Sequence, residues 1–266
     1  MNIDLELFSH LNQASDLEVM GRKAFNLALL ARSGFKVPRG FVVPAGTRPE
    51  DLDGGLEAAF EGLGAPLAAV RSSAAAEDGV NASFAGQFDS FLGVNAAGLR
   101  QAVLDCLASA SSARATAYGG GAAVHMAVLV QELVDADVSG VAFSCDPVTG
   151  DRNRVIVEAV YGLCEPLVSG AVTPDHYVIS GLEVIETLPA QQRELLAADP
   201  EGGTVMRPVP EAQRSAPKLR AEELRQVAAA AIRVELLFDR PMDIEWALKD
   251  GKLYLLQARP VTGLGD

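Results

Sequence analysis

The sequence predicts an α+β protein, on three observations. Helical and strand patterns alternate without a regular βαβ rhythm, so a doubly wound parallel sheet is not indicated. A β-branched block, MAVLVQELV (126–134), SGVAFSC (139–145) and RVIVEAV (154–160), fills the middle of the chain. A hairpin pattern, IEWALKDGKLYLLQ (244–257), stands near the C-terminal end. With 266 residues, 49% of them hydrophobic, the chain can bury a substantial core.

The elements follow in order. Residues 22–33 carry Ala24, Leu27, Ala28 and Ala31 on one helical face, and Gly34 supplies a stop. Pro38 and Gly40 break the chain before a short apolar strand, Phe41–Val43. Residues 67–71 (LAAVR) read as a buried strand. The small residues after it, SSAAAEDGVNASFAGQ, read as a loop. Residues 96–118 are helical and end at Gly119-Gly120-Gly121. Asp146–Asp151 is a turn between two strands, and 199–217, rich in Pro, Gly and charge, is a surface excursion. A helix covers 221–237. There are no repeats.

The charge balance narrows the partners. Thirty-five acidic against 22 basic residues give a net charge of −13. Such a surface repels nucleic acid and anionic membranes, and neither is expected as a partner. An anionic ligand is still compatible, because a local basic pocket or a divalent metal can hold it. Cys106, Cys145 and Cys164 show no CxxC spacing and are expected to be reduced thiols. No basic and apolar leader opens the sequence, and no run approaches the ~18 apolar residues of a span. A cytoplasmic protein is expected.

Several groups could carry chemistry. Arg71 stands at a strand end before Ser72-Ser73-Ala74-Ala75-Ala76. Small side chains let backbone approach an anion, hydroxyls donate to it, and a guanidinium grips phosphate oxygens with two donors. Taken alone, the segment reads as an ordinary Ser/Ala loop with a surface arginine. Gly21-Arg22-Lys23 places two cations at a helix N-terminus, where they oppose the helix dipole unless an anion is near. A solvated basic pair explains them equally well. His10, His125 and His176 have no metal spacing and read as surface or satisfied histidines. The Gln131–Val134 segment ends a strand and could offer backbone N–H and C=O groups to an adenine, as few strand ends do.

The hairpin is more informative. Asp243 and Glu245 share one strand face, and Gln257 and Arg259 share one on the partner strand. Such oxygen ligands suit Mg²⁺, which takes one or two carboxylates together with substrate phosphates. A two-residue Asp250-Gly251 turn pairs 249 with 252 and puts Glu245 and Gln257 on opposite faces. A three-residue loop, Lys249-Asp250-Gly251, pairs 248 with 252, sets Asp243 opposite Gln257 and leaves Glu245 diagonal to it. The second is expected, because only it builds a site. The competing reading is a polar outer face on an edge hairpin.

Taken together, five stretches resemble the N-terminal nucleotide-binding domain of the phosphoenolpyruvate synthase and pyruvate phosphate dikinase family, which includes rifampicin phosphotransferases. They are GRKAFNLALLARSGFKVPRGFVV, AVRSSAAAEDGVNASFAGQFDSFLGV, MAVLVQELVDADVSGVAFSCDPVTGD, VIVEAVYGLCEPLVSGAVTPDHYVI and DIEWALKDGKLYLLQARPVT, in the family's order and over more than half the chain. The resemblance implies an ATP-grasp fold, α+β, with two subdomains sandwiching the nucleotide. The first would span 1–130 and the second 131–266. Lys23 and Arg71 would contact phosphates, with Ser72 and Ser73 beside them. Gln131, Glu132, Leu133 and Val134 would form the adenine hinge. Glu245 and Gln257 would hold Mg²⁺, and Arg259 would neutralise the transferring group. That division of labour suits phosphoryl transfer, which depends on positioning and charge compensation.

Some positions depart from the family pattern. Gly21-Arg22-Lys23-Ala24 stands where the family has GGKG, Ala75 replaces a threonine, Cys164 replaces a glycine, and the region between Val43 and Leu67 is abbreviated. The family's full enzymes continue past QxRPxT into a phosphohistidine domain and a phosphoenolpyruvate-binding barrel, and none of the three histidines matches the acceptor motif. The resemblance therefore implies an ATP-dependent phosphotransferase whose acceptor is a histidine on a separate protein. A small molecule phosphorylated directly, or a non-catalytic nucleotide-binding role, are the alternatives.

Overall fold

The computed structural model describes residues 9–10, 16–53, 55–75, 90–117 and 126–264. The predicted Gly119-Gly120-Gly121 stop, most of the small-residue loop and His125 lie outside them. The chain divides into two units: 1–133 with 198–204, and 134–197 with 205–266.

The first unit is built on a five-stranded antiparallel sheet in the order β1-β2-β5-β3-β4. Its strands are β1 (Ser9–His10), β2 (Gly40–Val43), β3 (Ala68–Ala74), β4 (Ser90–Val94) and β5 (Met126–Glu132). Three helices accompany it: α1 (Leu17–Arg32), α2 (Gly55–Leu63) and α3 (Ala96–Ala117). Strand alternation separates the two faces. Phe41, Val43, Ala68, Val70, Val128 and Val130 pack with Leu56 and Phe60 of α2 and with Leu99, Val103 and Cys106 of α3. The opposite face, with Ala69, Arg71, Ser73 and Gln131, is the side from which Ser73 bonds α1. β3 runs on through Ser72-Ser73-Ala74, which the sequence reading assigned to a loop. These residues pair with Val128, Ala127 and Met126, so ladder hydrogen bonds override the weak strand propensity of Ser and Ala.

The second unit holds a six-stranded antiparallel sheet in the order β13-β12-β6-β7-β8-β9. The strands are β6 (Val138–Phe143), β7 (Arg154–Tyr161), β8 (Asp175–Ser180), β9 (Glu183–Leu188), β12 (Met242–Lys249) and β13 (Lys252–Pro260). A short helix α4 (Glu165–Val168), a hairpin of β10 (Glu194–Ala198) and β11 (Thr204–Pro208), and helix α5 (Ala221–Phe238) complete it. The predicted surface excursion at 199–217 thus contains a strand. α5 lies against β12, β7 and β6. On one face of this sheet Ala142, Val157, Ala159, Tyr177, Ile244 and Trp246 are buried. The other carries the polar residues.

A buried ion pair ties the segment before α5 to this sheet. The Lys218 ammonium bonds Asp175, both side chains being 0% exposed, and also donates to Ala190 O at 2.9 Å. Asp175 further accepts from the backbone N–H groups of Ala190 and Lys218 and from the Tyr177 hydroxyl at 2.7 Å. Burial, and next the bond to Asp175, push the Tyr177 phenol well above its ordinary value. Two charges in so dry a place survive because nearly every lone pair and proton is used.

The closing hairpin corrects the register expected from sequence. Asp250 (φ 50) and Gly251 (φ 69) form the two-residue turn, and Lys249 pairs with Lys252. Two consecutive left-handed residues match the strand twist, so this turn prevails over the three-residue loop. The ladder then slips between Glu245 and Trp246: Trp246 faces Leu255, while Glu245 faces Gln257. The surplus residue, Leu256, is a β-bulge. It returns Glu245 and Gln257 to one face, which the turn alone would have denied them. Asp137 clamps the turn, its carboxylate bonding Lys249 Nζ and Asp250 N at 2.9 Å each.

Two measurements check these supports. Lys218→Ala strands a buried carboxylate, and urea unfolding should show a loss of about 3 kcal/mol or more. Asp137 works through pH. Partial burial raises its pKa, but the Asp250 N–H and the Lys249 ammonium outweigh that and hold it below the ordinary carboxylate value. Its contribution is therefore present above about pH 4 and fades as the pH falls through the lowered folded value. Asp137→Asn should lower the melting temperature by about 1–2 °C at pH 7, and the gap should close in acid.

Candidate functional site

Each unit carries its own polar cluster. In the first, α1 opens on Asp16, whose Oδ1 accepts from the N–H groups of Glu18 and Val19 at 3.0 and 3.4 Å. The helix breaks at Gly21 (φ 72, ψ 166) and resumes. Only glycine tolerates this backbone comfortably, and a Cβ there would also collide with the Ser73 carbonyl. Just past the break, Lys23 Nζ donates to Ser72 O at 3.0 Å and Arg22 Nη2 to Ala75 O at 3.3 Å. Both cations thus lie at the end of β3.

The serines differ from the expectation in where their groups go. Both side chains are fully buried. Ser72 alternates onto the Val70 side of β3 and reaches the cluster through its carbonyl. Ser73 spends its hydroxyl on α1, accepting from Ala24 N at 3.2 Å and donating to Met20 O at 2.9 Å. Arg71 shares the strand face of Ser73 and stands opposite Leu129. Gln131 is on that face too, opposite Ala69 and Gly40. It is only 2% exposed, and its Nε2 has no hydrogen-bond partner among the described residues. A buried amide donor left open is uncommon, and a water or a ligand acceptor could satisfy it.

The rest of the expected hinge is more committed. Glu132 Oε2 takes a bond from Arg39 Nε at 3.1 Å, and its N–H donates to Arg39 O at 2.8 Å. Leu133 N donates to Leu67 O at 3.0 Å. Val134 is half-buried and opens the second unit.

In the second unit the register sets Gln257, Glu245 and Val141 in one cross-strand row, followed by Glu158 and His176. Directly opposed residues share a face. Two residues along, Asp243 opposes Arg259, and Arg259 Nε donates to Asp243 Oδ2 at 2.8 Å. Asp243 and Gln257 are buried, and Glu245 is half-buried. The structure therefore gathers Asp243, Glu245, Gln257 and Arg259 on one sheet face. His176 Nδ1 is 3.7 Å from Glu158 Oε1, a local pairing rather than part of a metal cluster. No group of three or more His, Cys, Asp or Glu fit for a metal occurs among the described residues. Two carboxylates and an amide oxygen on one face nonetheless suit a Mg²⁺ whose remaining ligands are water and phosphate.

Sequence reasoning missed three participants. Asp137, which fixes the hairpin turn, has no local motif. The bulge at Leu256 leaves no mark on a pattern of alternation. Asp243 was visible as a carboxylate, but its pairing with Arg259 depends on the register. No described helix is long and apolar enough to cross a membrane.

Comparisons with known proteins place the chain in a family. The prodigiosin synthesizing transferase PigC of Serratia marcescens is 40% identical over 80% of this chain and 25% of its own length. A rifampicin phosphotransferase of Streptomyces sp is 40% identical over 84% of this chain and 27% of its own. A probable phosphoenolpyruvate synthase of Methanothermobacter thermautotrophicus is 33% identical, covering 94% and 45% respectively. The chain thus spans between a quarter and a half of the length of these relatives. Residues 45–266 match the family described as pyruvate phosphate dikinase, AMP/ATP-binding domain. With that match over most of its length, this chain belongs to the pyruvate phosphate dikinase AMP/ATP-binding domain family.

Proposed function

We propose that the chain binds Mg-ATP and passes a phosphoryl or pyrophosphoryl group to an acceptor outside itself, a histidine on a partner protein. The observation that carries this reading is the single sheet face bearing Asp243, Glu245, Gln257 and Arg259. Oxygen donors next to a guanidinium meet the two needs of phosphoryl transfer, to hold the metal and to offset charge on the moving group.

The remaining roles are those that the family resemblance implies. Lys23 and Arg71 hold phosphates, as point charge and as fork. The open Gln131 Nε2 donates to the nucleotide, and the Gln131–Val134 segment borders the adenine. Glu245 and Gln257 hold Mg²⁺, and the ion, when bound, screens the phosphate charges. Arg259 stays fixed by Asp243 until the transferring group competes for its remaining donors. ATP as the donor fits a cytoplasmic setting. A second reading, direct phosphorylation of a small molecule, is favoured by the relative named rifampicin phosphotransferase.

Arg259→Ala or Glu245→Ala should lower ATP turnover by about 10³-fold or more with circular dichroism unchanged. Absence of ATP binding to the wild type by calorimetry would remove both catalytic readings. Phosphorus NMR of the protein with Mg²⁺, ATP and either a phosphohistidine-domain protein or a small-molecule acceptor should show which one takes the phosphoryl group. Appearance of AMP would assign β-phosphoryl chemistry, and of ADP alone γ-phosphoryl chemistry.

A further inference from the structure

A buried polar contact between α1 and the sheet involves Ser73. In an unbroken helix the Ala24 N–H would donate to the Met20 carbonyl, four residues earlier. Here the Ser73 hydroxyl lies between them, taking the Ala24 proton at 3.2 Å and giving its own to Met20 O at 2.9 Å. A side chain inserted into this ladder is a recognised cause of a sharp helix kink. The kink falls within the bridged turn, at Gly21, whose φ of 72 leaves the helix. The strand carbonyl that a Gly21 Cβ would strike also belongs to Ser73. Lys23 sits inside the same turn, and its ammonium reaches Ser72 O, next along the strand from Ser73.

We propose that Ser73 is a positioning residue for the nucleotide: its hydroxyl wedges α1 open at Gly21 and so aims Lys23 at the phosphates. The proposal rests on the ATP reading above and adds to it a residue that touches no phosphate. Without the hydroxyl, Ala24 N–H and Met20 O are left to each other. The helix can then close, and closing rotates the residues of the bridged turn, Lys23 among them. Gly21 makes the open form accessible and Ser73 holds it.

The test is a calorimetric comparison of Mg-ATP and adenosine on wild type, Ser73→Ala, Lys23→Ala and the double variant. Positioning through Lys23 predicts that Ser73→Ala weakens Mg-ATP about 10-fold or more, the loss of a charge-assisted phosphate contact, and leaves adenosine unchanged. It also predicts that Ser73→Ala has little further effect once Lys23 is alanine. Equal weakening of ATP and adenosine, or additive effects in the double variant, would overturn it. Ser73→Cys keeps the shape with a weak donor and acceptor, and should shift ATP in the same direction by less; if Ser73→Ala does not fold, the cycle is run on this variant. Hydrogen exchange at the Ala24 amide provides an arm without nucleotide. A changed rate in the variants shows that the wedge exists even if wild type fails to bind ATP, which would sink the nucleotide reading itself. An unchanged rate removes the wedge.

Discussion

Between Trp246 and Glu245 the β12–β13 ladder slips by one residue, and what the second unit presents on that face follows from the slip. A two-residue turn fixes an odd or even relation between the strands, and side chains alternate strictly from it. Without Leu256 as surplus, Gln257 and Arg259 would lie on the opposite face from Asp243 and Glu245. With it, a carboxylate faces an amide and a second carboxylate faces a guanidinium. The turn sets the register, and the bulge re-aims the side chains beyond it.

The first unit solves a different problem. Lys23 and Arg22 must stand close together near the start of a resumed helix in a chain of net charge −13. Backbone carbonyls at the end of β3 receive both cations. A carbonyl is a weaker partner for an ammonium than a phosphate is.

How much of this was legible in the sequence depends on the distance over which each feature is decided. Helices at 96–117 and 221–238, the part of the first helix from 22 onward, and strands at 126–132 and 154–161 announced themselves by local periodicity and β-branching. The α+β class followed from their irregular order. Asp243 and Glu245 could be placed on one face from alternation alone. The hairpin register could not, because an alternating pattern reads identically with or without a bulge. Ser72 and Ser73 looked like loop residues because their propensity is poor, and only pairing with β5 makes them strand. Ser73's partners are 49 and 53 residues away in sequence, beyond any local pattern. The family likeness supplied the roles that local physics could not.

The seven residues 198–204 group with the first unit although the chain on either side groups with the second. There Gly203 N donates to Gly93 O at 2.7 Å, and Asn95 Nδ2 donates to Glu201 O at 2.8 Å. Gly93 is at φ 73, and a Cβ on it would strike the Gly203 carbonyl, so the approach requires a bare backbone at Gly93. The chain therefore passes between its units three times. For protein engineering, this means that cutting at residue 133 does not isolate the first unit: the N-terminal fragment would carry β4 with one end of its edge stripped of a backbone partner. Dissection by sequence position and dissection by structure give different pieces.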